Sequence, residues 1–369
     1  MYGSSIGNQF RITTWGESHG PALGVVIDGV PAGLPLTEAD FVPYMARRKP
    51  GQSKFTTARQ EADTVEILSG VFEGKTTGTP LSLMVRNQDH HSADYSNIAD
   101  TFRPGHADYN FTQKYGFRDY RGGGRSSGRE TTARVAAGVV AEKILSELGI
   151  TVTAYTLAIG PYYLDPEEIH LEETCDNPLY MPNASMADKA ITYLEECIRS
   201  KESAGGIIEC RVDGVPTGLG DPVFEKLDAN LGKALFSIGA VKGVEIGDGF
   251  NVAHSIGSEN NDAYMISDGH VTKETNHSGG ITGGMSDGSP IILRAAFKPT
   301  PSIAQEQDTV DADGNPRKLT ITGRHDPVIV PRAVVVVEAM TAITVLDAYM
   351  STMTARLDYL KAFREKWMK

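Results

Sequence analysis

The 369-residue sequence is poor in cysteine, with Cys175, Cys197 and Cys210 and no C-x-x-C pair. Three cysteines are too few, and oddly numbered, for a disulfide framework, and no Cys/His spacing is typical of a metal site. The sequence therefore predicts a cytoplasmic protein from a reducing compartment, with no bound metal.

Long apolar runs and an excess of basic residues are also missing. The run AVVVVEAM at 333–340 is interrupted by Glu338 and is far shorter than the roughly twenty residues that span a bilayer. The start, MYGSSIGNQFR, has neither the basic nor the apolar region of a signal peptide. With 35 Lys and Arg against 47 Asp and Glu, the formal net charge of -12 argues against nucleic-acid or membrane partners. Any anion has to be bound locally.

The sequence contains two internal repeats. DGVPAGL at 28–34 returns as DGVPTGL at 213–219, each time after a short β-branched run. Three glycines and a proline then recur at identical spacing in GVFEGKTTGTPLSL (70–83) and GITGGMSDGSPIIL (280–293). Two echoes in the same order predict one domain over 1–369 with two pseudo-symmetric halves, about 1–150 and 200–369.

Periodicity and turn residues predict an α+β protein. Helices are predicted at 129–148, 187–202, 222–236 and 333–366. Strands are predicted at 22–28, 64–71, 80–86, 206–213, 241–246 and 289–297. The last helix should bury one stripe, formed by Ala339, Ile343, Leu346, Met350, Leu357 and Leu360.

The segment RGGGRSSGRE at 121–130 concentrates positive charge on a glycine-rich backbone. Ser127 and Glu130 have the spacing of a capping box, which predicts that the segment enters the helix at 129–148. Free N–H groups at a helix start form a phosphate or carboxylate site, and Arg125 and Arg129 flank this one. For the glycines alone, a flexible loop with solvated arginines is the alternative.

Further basic residues surround this segment in the sequence. MARRKPGQSKFTTAR supplies Arg48, Lys54 and Arg59, and FRPGHADY supplies Arg103. Aromatic residues interleave with them, so an RNA-binding protein is one alternative. The acidic balance favours a small, multiply charged anion held in a pocket.

Two histidines and one aspartate are candidates for proton transfer. His19 in WGESHGPA and His106 in RPGHADY lie in glycine-containing loops. A surface histidine is the ordinary alternative, but beside arginines either imidazole can deliver a proton to a departing phosphate. Asp326 follows Arg324 in TGRHDP; a loop ion pair is its alternative, and a carboxylate held among cations can serve as a base.

These motifs resemble those of the chorismate synthase family. The resemblance runs over nearly the entire chain, through FRITTWGESHGPALG, DGVPAGLPL, RRKPGQSKFTTAR, FRPGHADY, DYRGGGRSSGRET, SIGAVKGVEIGDGF, NHSGGITGGMSDG, AAFKPTPSI and TGRHDP. It implies a β-α-β sandwich with an internal pseudo-twofold repeat, assembled as a homotetramer.

The resemblance also implies a reaction. Members of the family convert 5-enolpyruvylshikimate 3-phosphate to chorismate by 1,4-anti elimination of phosphate and a C6 proton, in the shikimate pathway of aromatic amino acid biosynthesis. They need reduced FMN without net oxidation. NADPH is implied as a reductant. Because the chain lacks the long insertions of some self-reducing members, an external flavin reductase is expected.

The site residues implied by the resemblance fall into three groups. His19 corresponds to the acid that assists the leaving phosphate, His106 to the group that stabilises reduced flavin, and Asp326 to the carboxylate that works with flavin N5. Contacts to the substrate or to NADPH phosphate are implied for Arg48, Lys54, Arg59, Arg103 and Arg129. Flavin contacts are implied for Arg125, Ser126, Ser127, Gly239, Ala240, Gly283, Lys298, Pro299, Thr300, Pro301, Ser302 and Arg324.

Two positions depart from the family pattern. Lys54 stands where arginine is common and loses the two-pronged fork, and Pro301 replaces a frequent serine. A flavin-dependent oxidoreductase acting on a phosphorylated small molecule is the main alternative function. Such an enzyme would consume one reductant per product.

Overall fold

A computed structural model describes residues 3–56, 61–88, 100–321 and 326–368. Two five-stranded antiparallel sheets enclose a layer of helices. The first sheet contains Ser5–Ile6 (β1), Arg11–Gly16 (β2), Ala22–Asp28 (β3), Val65–Ser69 (β4) and Leu81–Arg86 (β7). The second contains Thr151–Ile159 (β8), Tyr162–Tyr163 (β9), Gly206–Asp213 (β10), Val241–Ile246 (β11) and Ile291–Phe297 (β16). The expected α+β class and β-α-β sandwich are confirmed.

Four two-stranded hairpins and eight α-helices complete the described part of the chain. The hairpins are Val71–Phe72 with Lys75–Thr76 (β5, β6), Tyr264–Ser267 with His270–Lys273 (β12, β13), Ile281–Thr282 with Met285–Ser286 (β14, β15), and Glu306–Val310 with Pro316–Thr320 (β17, β18). The helices are Val42–Arg48 (α1), Asp108–Tyr115 (α2), Thr131–Glu147 (α3), Ala184–Arg199 (α4), Leu227–Phe236 (α5), Gly257–Asn260 (α6), Val330–Thr352 (α7) and Leu357–Trp367 (α8).

Helices α3 and α7 pack against each other at the centre of the sandwich. A Cβ added to Gly138 of α3 would lie 2.3 Å from the Cβ of Ala339 on α7, so the missing side chain lets the two backbones approach. By length and composition α7 could span a bilayer, but 78% of its most apolar window is buried inside the protein. It is a core helix, covered on all sides over most of its length.

The two sheets have corresponding strand orders. The first runs β1-β2-β3-β7-β4 and the second, read in reverse, β9-β8-β10-β16-β11. Ile27 of β3 lies opposite Leu81 of β7, and Val212 of β10 lies opposite Ile291 of β16. These four residues occupy equivalent places in the two sequence echoes, so the repeated motifs are paired in the same register.

The turns after β3 and β10 also make matched hydrogen bonds. Gly33 N–H donates to the carbonyl of Thr76, and Gly218 N–H donates to that of Ser286, both at 2.8 Å. The hydroxyls of Thr76 and Ser286 each donate to a proline carbonyl at 2.6 Å. These matches support our proposal of one domain with two pseudo-symmetric halves. Because β8 belongs to the second sheet, we begin the second half at residue 151.

The predicted strands are confirmed to within about two residues, whereas the helices differ more. The capping box is wrong: the Ser127 hydroxyl accepts from the N–H of Arg129, while the Glu130 carboxylate accepts from Thr14 and Arg134. A 3₁₀ turn at Gly128–Glu130 therefore precedes α3. The predicted helix at 333–366 is divided at 353–356, and Leu357 and Leu360, expected in the core, are exposed on α8.

Candidate active site

An ion cluster centred on Asp63 lies where α1 meets the entry to α3. The carboxylate accepts from Arg48 Nη2 at 2.9 Å through one oxygen and from Arg129 Nη1 at 2.7 Å through the other. Arg48 Nη1 donates to the Gly128 carbonyl and the Thr131 hydroxyl at 3.3 and 3.4 Å. Arg48 Nε also donates to Asp63, at 3.2 Å, so all three guanidinium nitrogens are bonded within the chain, which differs from the expected free fork for an anion.

Burial and charge compete in this cluster. Burial lowers the pKa of Arg48 to about 10, with the Asp63 carboxylate opposing it. Burial also acts to raise the pKa of Asp63, but the charges of Arg48 and Arg129 outweigh it and lower that pKa. Asp63 adopts a left-handed φ of 49°, a strained conformation that places both oxygens between the two arginines.

His19 lies against the glycine-rich segment that joins α2 to α3. Its Nδ1 is 3.0 Å from the Ser18 hydroxyl. A Cβ on Gly122 would lie 2.2 Å from the same nitrogen, so this glycine is required by the close approach of the imidazole. The next residue but one, Gly124, has a φ of 51° and is required by its backbone conformation instead. The glycine run therefore positions His19 rather than providing a loose loop.

His106 lies against the segment that follows β16. Its Nε2 is 3.0 Å from the Ser302 hydroxyl, and its Nδ1 is 3.0 Å from the Pro104 carbonyl. Lys298 Nζ donates to the Gly105 carbonyl at 3.3 Å. The predicted flavin segment 298–302 and the loop carrying His106 thus form one surface.

The chemistry around His106 fixes its tautomer. Burial, assisted by the charge of Arg103, lowers its pKa to about 4, so the imidazole is neutral near pH 7. Because a carbonyl only accepts, Nδ1 carries the proton donated to Pro104, and Nε2 accepts from Ser302. Nε2 is consequently the atom that can take up a proton.

Asp326 and Arg332 connect the His106 region with the Asp63 cluster. Arg332 Nη1 donates to the Asp326 carboxylate at 2.6 Å, and its Nε donates to the backbone carbonyl of Arg48 at 3.0 Å. The next residue, Pro327, accepts from the N–H of Ala204 at 2.8 Å. Beside it, the Ser203 hydroxyl donates to the Thr300 carbonyl at 2.7 Å, which leads back to the flavin segment.

Several predicted residues make contacts that differ from the expectation. Arg125 donates to the Thr14 hydroxyl at 2.6 Å and to the Gly16 carbonyl at 3.1 Å, so its guanidinium supports β2. Arg103 forms a buried two-pronged pair with Asp108, at 2.8 and 2.7 Å.

Other predicted residues lie apart. The Lys54 side chain is 62% exposed and pairs with Glu195. Gly283 lies at the opposite end of β16 from Lys298, and a seven-residue strand is about 23 Å long. Ala240, with a φ of 73°, accepts from the N–H of Lys298 at 3.0 Å and so joins the flavin segment together with Gly239.

Arg59 and Arg324 lie outside the described residues. Within the described ranges, no three His, Cys, Asp or Glu side chains are grouped suitably for a metal ion.

Sequence reasoning missed Asp63, Arg332 and also Asn87, whose Oδ1 accepts from Arg129 Nε at 2.6 Å. Asp63 and Asn87 stand in polar stretches beside β4 and β7, where nothing in the sequence separates them from surface residues. Arg332 had a detectable signal, because a charged residue stands at the start of an otherwise apolar helix in VPRAVVVV.

Comparison with known proteins places the whole chain among named relatives. Residues 10–350 match the family profile described as chorismate synthase. The chorismate synthase of Agathobacter rectalis is 62% identical over 366 residues, covering 99% of this chain and 100% of that protein. The one from Lachnoclostridium phytofermentans is 59% identical over 367 residues, with the same coverage. A crystal structure of chorismate synthase is similar with a TM-score of 0.75, at 33% identity over 98% of both chains.

Proposed function

This chain belongs to the chorismate synthase family, and from that membership we propose that its elimination takes place between the Asp63 cluster and the His106 surface. The reaction is the formation of chorismate from 5-enolpyruvylshikimate 3-phosphate in the shikimate pathway, and the enzyme is a carbon–oxygen lyase. The proposal concerns the cofactor, the residues and the assembly that carry it out.

The segment 298–302 fits a bound FMN. The Thr300 hydroxyl is buried without a hydrogen-bond partner among the described residues, and Lys298 Nζ donates to the Gly105 carbonyl at 3.3 Å. Burial lowers the pKa of Lys298, with the neighbouring charge of Lys242 adding to the effect, so an anionic group is favoured there. Reduced FMN, when bound, supplies electron density that eases the departure of phosphate.

Other proposed flavin contacts come from two regions. Gly239 and Ala240 lie beside this segment, where the Ala240 carbonyl accepts from the N–H of Lys298 at 3.0 Å. Ser126 and Ser127 lie on the turns that precede α3, whereas Arg125 acts by holding β2. Gly283 fits the proposal only as a contact supplied by a neighbouring copy of the chain.

Three groups of this chain move or hold protons in the proposal. His19 donates to the departing phosphate, in a position held by Ser18 and Gly122. His106 holds a proton at Nε2 once an anion lies beside it, because a nearby negative charge raises the proton affinity of an imidazole. Asp326, held by Arg332, is the chain's carboxylate on the path of the C6 proton.

Arginines provide the charge that the substrate requires. Arg129 is buried, its Nη2 lies 3.4 Å from a Glu61 carboxylate oxygen, and this nitrogen donates no hydrogen bond among the described residues. We assign Arg129 to the substrate's anionic groups, and Arg48 and Arg103 to shaping the pocket through their ion pairs. Positioning and charge stabilisation therefore supply most of the rate enhancement.

The contact between His106 Nε2 and Ser302 carries this proposal, because it joins a proton-holding group to the predicted flavin segment. The test is phosphate release from 5-enolpyruvylshikimate 3-phosphate under anaerobic conditions with a limiting amount of reduced FMN. We expect many phosphates per flavin and no accumulation of oxidised flavin. One phosphate per flavin oxidised would support a flavin oxidoreductase instead.

Substitution of the two histidines tests their roles. His19→Ala and His106→Ala should each lower phosphate release about 100-fold or more, because general acid–base groups contribute about 10²–10⁴. His254→Ala, at an exposed position, is the matched control and should retain full activity. Unchanged turnover in both active-site variants would remove these residues from the reaction.

Exposed apolar surfaces support assembly into a homotetramer. Hairpin β12–β13 is exposed on both faces, with Tyr264, Ile266 and Val271 each 68% exposed. A two-stranded hairpin is marginally stable alone in water, so a partner surface is expected to cover it. Light scattering should give a tetramer of 39.7-kDa chains.

We further propose a cytoplasmic enzyme, supplied with reduced flavin by an NADPH-dependent external reductase.

A further inference from the structure

Asn87 lies immediately after β7, and its buried side-chain amide bridges two parts of the site. Oδ1 accepts from Arg129 Nε at 2.6 Å. Nδ2 donates to the carbonyls of Glu17 and Gly20 at 3.0 and 2.7 Å. A guanidinium only donates and a carbonyl only accepts, so the amide has one satisfactory orientation.

The two carbonyls belong to the turn that carries His19. This turn is closed by the Gly20 N–H, which donates to the Glu17 carbonyl at 3.1 Å. The Asn87 side-chain amide binds both ends of the turn, and the backbone N–H of Asn87 donates to the Pro21 carbonyl at 3.1 Å. The imidazole meets Gly122 on its other side. A small rotation of the turn would therefore move the ring.

The other side of Asn87 is anchored through Arg129. The Arg129 guanidinium is held by Asp63 through Nη1 and by Asn87 through Nε. One continuous series of hydrogen bonds thus runs from Asp63 through Arg129 and Asn87 to the backbone on both sides of His19. The groups proposed to bind the anion and to protonate the leaving phosphate are joined by a single amide.

We infer that Asn87 is a positioning residue for the elimination, which sets the His19 imidazole relative to the Arg129 guanidinium. This inference rests on the proposed function, in which His19 donates a proton and Arg129 faces the substrate's anionic groups. Asn87 itself neither donates nor accepts the transferred proton.

Asn87→Asp keeps the hydrogen bond to Arg129 and removes those to the turn that carries His19. The carboxylate keeps an acceptor for Arg129 but presents an oxygen, instead of two N–H donors, to the carbonyls of Glu17 and Gly20. We expect kcat to fall about 10–100-fold, since a displacement of about 1 Å can cost 10²-fold, with KM changed less than about threefold. Asn87→Ala should lower kcat and also raise KM. Asn251→Asp makes the same chemical change at an exposed position and is the matched control.

A double-mutant cycle shows whether Asn87 acts through His19. In a His19→Ala background, Asn87→Asp should lower kcat less than about twofold further, because there is no imidazole left to position. A full additional loss, or an unchanged kcat in the single variant, would overturn the inference. An unchanged kcat for His19→Ala alone would overturn the proposed function instead. If Asn87→Asp does not fold, Asn87→Ser, which removes the donors without adding charge, replaces it in the cycle.

Discussion

In the first half of the chain, Asp63 lies between the guanidinium groups of Arg48 and Arg129, whereas in the second half Lys273 lies between the carboxylates of Asp262 and Asp287. All six side chains are almost fully buried. The halves share strand order, register and turn hydrogen bonds, yet their central charges have opposite signs. The two halves therefore share a backbone arrangement but differ in the sign of the charge at the centre of the buried cluster.

The loops after equivalent strands show the same division. After β7 the chain places Asn87 and then the arginine-rich segment that leads to α3, and after β16 it places Lys298 to Ser302. The two loops meet where His106 faces Ser302. The first half supplies the proposed acid and most of the proposed cations, and the second supplies the proposed flavin segment. Function thus resides in loops on a common scaffold.

The largest effect is expected from removing one carboxylate charge from each buried cluster. Asp63→Asn should lower the free energy of unfolding by about 3–5 kcal/mol, because it leaves Arg48 and Arg129 without their shared counter-charge. Asn tolerates the left-handed conformation, so the change isolates the charge. Asp287→Asn is the matched variant; Lys273 keeps Asp262, and a loss of about 1–3 kcal/mol is expected.

Urea unfolding measures both values, and phosphate release separates their consequences. Asp63→Asn should also reduce activity, whereas Asp287→Asn should leave it intact. Equal stability losses with equal effects on activity would mean that the two clusters are alike in function.

These clusters also show how far the sequence could predict the structure. The repeated DGVP motif and the glycine spacing predicted two similar halves, and the strands beside these motifs do pair in the same way, β3 with β7 and β10 with β16. The loops that contain His19 and His106 were recognised from their glycine-containing motifs, WGESHGPA and RPGHADY.

Ion partners could not be predicted in this way. Asp63 meets Arg129 across 66 positions in the sequence, and Arg332 meets the Arg48 carbonyl across 284. Such contacts arise only when both sheets and the helical layer are assembled. The sequence indicated that Arg48 and Arg103 were cations near a site, but nothing in it revealed the acceptors that hold them.

A second test concerns the glycine run, which the first half uses to position His19. Gly122→Ala introduces a methyl where the imidazole lies, so the ring must shift while remaining chemically intact. Phosphate release should fall about 10–100-fold. Gly128→Ala, where a Cβ meets nothing within 4 Å, is the matched control and should retain activity. Full activity of Gly122→Ala would show that the ring position does not matter.

A third test uses the junction between the halves. The pKa of His106, about 4, lies below its ordinary value of 6.5, so the unfolded chain binds more protons than the folded chain between these values. The contribution of His106 to the free energy of unfolding is complete above pH 6.5 and is lost as the pH falls towards 4. We expect this contribution to amount to about 1–2 kcal/mol after allowing for the partial exposure of the side chain. Urea unfolding at pH 7 and pH 5 should show a smaller pH dependence for His106→Gln, and an identical one would contradict this account.

The smallest effect separates two lysines, Lys298, expected to contact the flavin, and Lys54, expected to contact the substrate or NADPH phosphate. Lys298→Gln, in the second half, should weaken FMN binding about tenfold, the size of a lost charge-assisted hydrogen bond of about 1.4 kcal/mol. Lys54→Gln, in the first half, should change it less than twofold, because Lys54 is largely exposed and pairs with Glu195 at the surface, where water and salt screen the interaction. Quenching of FMN fluorescence measures both dissociation constants without turnover. If Lys54 proves the stronger contact, the phosphate of the cofactor belongs to the first half, and the division of labour between the halves is the reverse of the one argued above.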